Sequence, residues 1–303
     1  MALRRLLVFL TFAGLVAFVA SAAPVRAASD APSSVTIAYQ PGLSYATLIV
    51  MKEQGTLEKQ FPGTKFAWRV LGNGAAIRDG IIAGQIQIGA GGVGPFLIGW
   101  DKGVGYRLIG SLNEMDLWLV TMDPKIKSLK DIKPGMRIGM PGIDAIQAIV
   151  LKRGAERELG NAHALDQNIV AIPHPLGLQA LEHGQLMGHL TSPPFQFEEV
   201  AAGGHVILHS FDLFGVSTFN SVYTTEAFYD GHKDFVKAFY QSLKAATAFV
   251  KSHPNEAAEL LSRDSGGKAT PAQFDGWLTH KGLAFETTPH GFLAYGKFMQ
   301  QIG

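Results

Sequence analysis

The stretch over residues 70–92 constrains the fold of this chain more than any other. Val70 and Leu71 close an apolar run that reads as a strand. Gly72 and Gly74 permit positive φ and a close approach of backbone. Asn73 between them is placed to cap a helix starting near Ala75, by accepting a backbone N–H bond. Ala76, Ile77, Gly80, Ile81 and Ile82 make one helical face, and Gly84 suits the C-terminal cap. Gln85-Ile86-Gln87-Ile88 then alternates as a half-buried strand does, and a second glycine-rich turn follows. Two strand-to-helix turns thus lie about twenty residues apart. Each points backbone N–H groups outward at the carboxyl end of a strand, where open α/β sheets bind small ligands.

The same alternation runs through the chain. Strands are expected over 34–39, 65–71, 106–111 and 117–122, with helices over 45–54 and 95–102. This is a βαβ series, and so a mostly parallel sheet with helices on its faces. Asp123-Pro124 breaks it. A new series then starts: a strand over 136–140, a helix opened by Pro141-Gly142-Ile143-Asp144 and stopped at Gly160, a strand over 168–172 and a helix over 176–183. Strands over 186–190 and 206–208 flank a helix over 195–202, which completes a second lobe. After a β-rich run over 217–224 the chain is helical, over 233–252, 254–262, 271–281 and 289–301. Prolines near three of these starts act as start signals. No internal repeat at solenoid spacing is visible.

The first 27 residues are not part of this fold. Arg4 and Arg5 precede an apolar run over 6–20, and Val25-Arg26-Ala27 offers small residues three and one before a cut. This is the pattern of a cleaved secretory signal peptide, and the run is shorter than the ~20 residues of a membrane span. Export to the periplasm as a free protein is expected. The chain has no cysteine, which excludes disulfides, thiolate metal sites, a cysteine nucleophile and a lipid anchor after the cut. Its 303 residues carry 26 basic and 25 acidic side chains. Loss of Arg4, Arg5 and Arg26 leaves 23 against 25, a net charge of −2. No basic stripe is present, so nucleic acid is not an expected partner.

The order of these elements resembles the periplasmic solute-binding proteins of ABC importers for nitrate, sulfonate, taurine and thiamine-precursor pyrimidines. The resemblance rests on Val35-Thr36-Ile37-Ala38-Tyr39-Gln40, Gly55-Thr56-Leu57-Glu58-Lys59 and the 74–89 segment. It continues in Lys127-Ser128-Leu129-Lys130-Asp131-Ile132-Lys133-Pro134-Gly135 with Ile138-Gly139, and in Val222-Tyr223-Thr224. It implies the α/β, two-lobed type II periplasmic binding protein fold, each lobe a mostly parallel sheet flanked by helices, with two crossovers near 121–125 and 217–223. Lobe one would then take 28–122 and 218–303, and lobe two 123–217. The resemblance also implies a small-molecule solute and an inner-membrane ABC permease as partners, a monomer, no cofactor, no metal and no catalytic residue. The expected mechanism is lobe closure around the solute, not bond chemistry.

Carried over by position, ligand-binding candidates in lobe one are Gln40, Leu43 and Ser44, then Asn73, Gly74 and Ala75. Gly91, Gly92 and Val93 occupy the next turn, and Asn113, Asp116 and Trp118 flank the crossover. Lobe two offers Gly142, Ile143, Asp144, Pro194 and Phe195, and Ser217 lies at the return crossover. Asp144 departs from the family, whose sulfonate and nitrate binders place Ser or Thr at that helix start. Two readings of it stand: a cap for its helix, or a carboxylate facing the cleft, which would select a ligand carrying a cation or donor. No Lys or Arg lies at any of these turns.

The histidines of lobe two, His163, His174, His183, His189, His205 and His209, invite a metal. His205 and His209 flank an apolar run that reads as strand, which would set them ~13 Å apart, too far to share an ion. Solvated or capping roles are expected instead. Ser192-Pro193-Pro194-Phe195 reads as a rigid turn before a binding segment. Gly89 to Gly94 fits neither a dinucleotide fingerprint nor a Walker loop. The relatives that make a thiamine pyrimidine use a cysteine-rich iron motif absent here, and no Gly-x-Ser-x-Gly or His-Glu-x-x-His motif occurs. The alternatives to a transport protein are a sensor that presents its ligand to a receptor and a non-redox enzyme on the same fold.

Overall fold

The computed structural model describes residues 31–303; the signal segment expected over 1–27 lies outside the described residues. Chain order begins with β1 (Ser34–Tyr39), α1 (Ala46–Glu53), α2 (Thr56–Gln60), β2 (Lys65–Val70), α3 (Gly74–Ile82), β3 (Ile88–Gly92), α4 (Val93–Asp101) and β4 (Tyr106–Ser111). It continues with β5 (Glu114–Met115), β6 (Trp118–Thr121), β7 (Ile138–Met140), α5 (Ile146–Leu159), β8 (Ile169–Ala171), α6 (His174–Glu182), β9 (Gly188–Thr191), α7 (Phe195–Ala201) and β10 (His205–His209). The return comprises α8 (Phe211–Phe214), β11 (Asn220–Thr225), α9 (Glu226–Gly231), α10 (Lys233–Ser252), α11 (Pro254–Asp264), α12 (Pro271–Leu278), β12 (Leu283–Ala284) and α13 (Phe292–Ile302).

Two five-stranded sheets result, in the orders β2-β1-β3-β11-β4 and β8-β7-β9-β6-β10. In the first, β1 pairs parallel with β2 and β3, and β11 runs antiparallel between β3 and β4. The second repeats this: β7 is parallel to β8 and β9, and β6 is antiparallel to β9 and β10. This is the two-lobed α/β fold with two crossovers. Each sheet's inserted antiparallel strand is the one that follows a crossover, so the two lobes are laced together through their sheet centres.

Three boundaries differ from the sequence reading. The chain leaves the first sheet after Ser111 and enters the second at Trp118, so the first crossover spans 112–117, not 121–125. The return runs over 210–219, and β11 already belongs to the first sheet. Strand β3 begins at Ile88 and takes in Gly89-Ala90-Gly91-Gly92, which the sequence reading assigned to a turn. The alternation over 85–88 is outweighed by packing: all five residues of β3 are buried, and Gly89 sits between α3 and Tyr223 where a Cβ does not fit. A Cβ on Gly89 would lie 2.7 Å from both Ile77 Cγ2 and Ile81 Cδ1.

The two lobes also share a local repeat at a spacing of one hundred residues. Helix α3 starts at Gly74 and α6 at His174; the positive-φ turns fall at Gly84 and Gly184, and again at Gly103 and Gly203. The backbone bonds match, with Gln85 N donating to Gly80 O and Gln185 N to Ala180 O. At Gly84 and Gly184 the left-handed backbone costs a residue with Cβ about 1–2 kcal/mol, so glycine ends both helices.

The return segment seals lobe one. Helix α10 buries Phe235, Phe239, Leu243, Ala246 and Val250, a stripe at i, i+4, i+8, i+11 and i+15. It packs on α1, with Phe235 against Phe61 at 5.0 Å between ring centroids. Among the described residues no helix is long and apolar enough to cross a membrane.

Candidate functional site

The strand ends of both sheets face one cavity between the lobes. Its lining comes from four helix N-termini. Gly74 opens α3 and Gly92 caps α4 from lobe one; Ala145, Ile146 and Gln147 start α5 and His174 starts α6 from lobe two. Each terminus carries roughly half a positive charge on its unpaired N–H groups. Asn73 caps α3 as expected, accepting from Ala76 N at 2.8 Å. Gln40, Ser44, Tyr45, Ser192 and Asn220 add polar side chains, and Pro41, Pro95, Pro141 and Phe219 complete the wall. Among the described residues no charged side chain lines the cavity.

The polar wall is held from behind. Asn220 Nδ2 donates to Ser44 Oγ at 2.8 Å, and Asn113 Nδ2 donates to the Ser44 carbonyl at 2.6 Å. Gln40 Nε2 donates to the Tyr45 hydroxyl at 2.8 Å, and burial drives the Tyr45 phenol well above its ordinary pKa, so it stays neutral. A Cβ on Gly91 would lie 3.3 Å from Gln40 Nε2 and crowd this amide.

Of the residues singled out from sequence, Gln40, Ser44, Gly74 and Gly92 line the cavity. The others stand elsewhere. Leu43 donates its N–H to Pro193 O at 3.1 Å, a direct bond between the lobes. Ala75 lies in the first turn of α3, and Gly91 and Val93 are buried in β3 and α4 behind the wall. Asn113 buttresses Ser44, and Ser217 bonds to Gly215 O, facing Tyr295. Phe195 does not reach the lining; it stacks on His174 with centroids 5.5 Å apart, and Pro194 is the residue that precedes its helix. Gly142 and Ile143 precede α5, and Ile143 is 74% exposed on the outer face.

Asp116 and Trp118 belong to the crossovers instead of the cavity. Asp116 Oδ1 accepts from Ser210 Oγ and Phe211 N, both at 3.0 Å. Its Oδ2 accepts from Trp118 Nε1 at 2.8 Å and contacts His209 Nδ1 at 2.6 Å. One carboxylate therefore ties the outgoing strand to the returning one. Trp118 packs edge-on against Phe197 and His280.

Both sequence readings of Asp144 fail. Ala145, not Asp144, caps α5, and no side chain bonds that cap. Its carboxylate instead meets Arg78 of α3 at 2.7 Å, outside the cavity lining and bridging the two lobes. Arg78 was overlooked because it lies one helical turn beyond the strand-to-helix junction.

The lobe-two histidines divide. His205 and His209 do lie on a strand, with separate partners at Ile126 O and Asp116. His174 and His189 are neither solvated nor capping: they are buried and joined, Nδ1 to Nε2, at 3.0 Å. His189 Nδ1 lies 2.5 Å from Glu199 Oε1, and His174 Nε2 lies 3.1 Å from the Gln147 amide nitrogen. Gln147 and Tyr45 carried no sequence signal, because they sit inside helical runs that reveal only which face is apolar. Among the described residues no group of three His, Asp or Glu side chains is arranged to hold a metal ion.

Comparison with known proteins gives the same architecture. The alkanesulfonate-binding protein of Xanthomonas axonopodis pv. citri, solved with MOPS, superposes with a TM-score of 0.74 at 18% identity, over 89% of this chain and 94% of that one. The periplasmic aliphatic sulphonate-binding protein of Escherichia coli gives 0.69 at 17%, over 90% and 92%. The periplasmic nitrate-binding protein of Synechocystis PCC 6803 gives 0.66 at 15%, over 80% and 69%. A search of curated protein sequences returned no match. The NMT1-like family model matches residues 28–263, which carry both sheets and every residue lining the cavity, and the chain belongs to the NMT1-like family.

Proposed function

We propose that this chain is the substrate-binding component of an ABC importer, working in the periplasm, and that it closes its lobes on a small solute bearing an oxyanion group of the sulfonate class. The observation that carries this reading is the convergence of four helix N-termini, two from each lobe, on a cavity lined by neutral polar side chains. Such termini hold anions through N–H groups and dipoles without a cationic side chain. The pairing of Asp144 with Arg78 removes the one carboxylate that argued for a cationic ligand. The structural neighbours include proteins named for alkanesulfonate and nitrate binding, which supports the same ligand class.

In this reading Gln40, Ser44 and Asn220 hold the solute from lobe one, and Gln147 and Ser192 from lobe two, with His174 behind Gln147. A solute that touches both lobes favours the closed state by its differential affinity alone. No bond is made or broken.

Thermal unfolding of residues 28–303 against taurine, ethanesulfonate, nitrate, bicarbonate and an aminopyrimidine tests this. A ligand at a thousand times its Kd adds ~4 kcal/mol to the folded state, which raises the midpoint by several degrees at roughly 2–4 °C per kcal/mol. A shift with the sulfonates is expected. A shift with the aminopyrimidine alone overturns the oxyanion assignment, and steady consumption of any probe overturns the transport reading in favour of an enzyme.

A further inference from the structure

One buried polar chain is unexplained by capture alone. From the cavity inward run Gln147, His174, His189 and Glu199, with neighbouring polar atoms 3.1, 3.0 and 2.5 Å apart. All four are buried, His189 and Glu199 completely. The hundred-residue repeat shows that the fold does not need this chain. The positions equivalent to His174, His189 and Glu199 in lobe one are Gly74, Gly89 and Gly99. Lobe one fills the matching space with carbon: Ile77 and Ile81 against Gly89, and the Tyr106 ring against Gly99. Lobe two does the reverse at the same place. Ile77 is matched by Gly177, and a Cβ there would lie 2.5 Å from His189 Nε2. Space has been opened in lobe two for an imidazole that an aliphatic packing would replace at no cost in polar desolvation.

We propose that Glu199, His189 and His174 form a positioning relay that sets which end of the Gln147 amide faces the ligand, and with it the hydrogen-bond polarity of the cavity. This deepens the reading of the site as an oxyanion receptor and rests on it. Each neutral imidazole has one donor and one acceptor nitrogen, so a chain of them carries a direction. When Glu199 and His189 share a proton between Oε1 and Nδ1, His189 carries its other hydrogen on Nε2 and donates it to His174 Nδ1. His174 then carries its hydrogen on Nε2 and donates to the Gln147 carbonyl oxygen, and the amide NH2 turns to the cavity. This holds whether the shared proton sits on the carboxyl or on the imidazole. When the pair loses its proton, every bond reverses. His189 Nδ1–H then donates to the carboxylate, His174 donates from Nδ1, the Gln147 NH2 donates to His174 Nε2, and its oxygen faces the ligand. A half-turn of the amide exchanges the two ends in one place. The Thr191 hydroxyl, 3.1 Å from His174 Nδ1, serves either direction by rotating.

The proton-holding state is the one that donates to an oxyanion, and the surroundings favour it. Burial pushes the Glu199 carboxyl up to about 9, with Glu182 adding to the shift, and drives both imidazoles down. The titratable groups packed around the pair are Glu182 from α6, Glu198 on α7 itself, and His205 and His209 from β10, the last two bound to Ile126 O and Asp116.

Two measurements on the full mature chain test this separately. The first needs no ligand: nitrogen-15 NMR of the imidazole rings from pH 6 to 10.5. His174 is expected as the Nε2–H tautomer near neutrality and as Nδ1–H at the alkaline end, and Glu199→Gln, which has no carboxyl proton to lose, is expected to keep a single His174 tautomer throughout. His174 found as Nδ1–H at neutral pH, or unchanged across the range in the wild-type chain, overturns the relay. The second is calorimetric titration with ethanesulfonate over the same range. Affinity of the wild-type chain is expected to fall above about pH 9, toward about tenfold per pH unit, the limit for one linked proton. Glu199→Gln is expected to abolish that slope, and Gln147→Glu, which offers the ligand only acceptors, to weaken binding at least tenfold at neutral pH. Ethanesulfonate binding with no slope overturns the relay. Failure of every sulfonate to bind, with the tautomer switch present, overturns the oxyanion reading and leaves the relay standing.

Discussion

A single partner reverses the meaning of Asp144. On its own, a carboxylate at a cleft repels an anion; joined to Arg78 at 2.7 Å it becomes a clasp between α3 and the loop before α5. Burial of both side chains is partial, 17% exposed for Arg78 and 23% for Asp144, so the pair is worth about 1 kcal/mol in a double-mutant cycle. Arg78→Ala is expected to raise the Kd for a bound sulfonate several-fold, and Asp144→Ala to add little further once Arg78 is gone; independent, additive losses would show that the clasp does not act in closure. The buried trio makes a second prediction at this scale. Folding raises Glu199 to about 9 and lowers His189 to about 3, with His174 moved in the same direction as His189. From about pH 4.5 to 9 the native chain holds a proton that unfolded Glu199 has lost, so this contribution declines as pH rises. Below about pH 6.5 the unfolded chain protonates two histidines that the native chain keeps neutral, so their contribution declines as pH falls. The two together give maximal stability near pH 6.5, then a decline of about 1.4 kcal/mol per pH unit toward pH 9. Urea unfolding at a series of pH values should show this decline in the wild-type chain and not in Glu199→Gln.

At the scale of elements, the termini of four helices matter more than any one side chain. They are short and would be marginal in isolation; packing on the sheets holds them with their N–H groups at the cavity. Gly177 in α6 is one such packing point. Gly177→Ala forces a Cβ into His189 and is expected to cost about 1–3 kcal/mol in urea unfolding despite the better helix propensity of alanine. Helix α10 carries the stability of lobe one: Phe239→Ala should cost about 3–5 kcal/mol, and exposed Lys244→Ala less than ~0.5 kcal/mol. Most elements of this kind were legible beforehand. The 20-residue span of α10, the Asn73 cap and the glycine stops at Gly84 and Gly160 follow from periodicity and local chemistry. The start of β3 was misplaced, because Gly89, Gly91 and Gly92 are set by neighbours distant in sequence, including Tyr223 and Ile146.

At the scale of the molecule, the lobes are in direct contact. Leu43 bonds to Pro193, Arg78 to Asp144, and the Gly94 backbone lies close against Asp144 O. In the proposed mechanism the crossovers knotted by Asp116 are the points about which the lobes swing apart. X-ray scattering should therefore report a larger radius of gyration for the chain without solute than for this closed arrangement, with contraction on adding a saturating sulfonate; identical curves would remove lobe motion from the mechanism. The sequence by itself determined the α/β alternation, the two lobes and the family resemblance, because these rest on the period of apolar residues and on glycine, proline and capping residues acting within a few positions. It also singled out Gln40, Ser44, Gly74 and Gly92, which sit at strand ends that the topology must bring to the cleft. Only the tertiary structure decided the partner of Asp144, the removal of Asp116 and Trp118 to the crossovers, and the joining of Gln147, His174, His189 and Glu199. Those contacts join residues from 10 to 95 positions apart in the chain, and their chemistry depends on burial and hydrogen-bond direction, which no local pattern encodes.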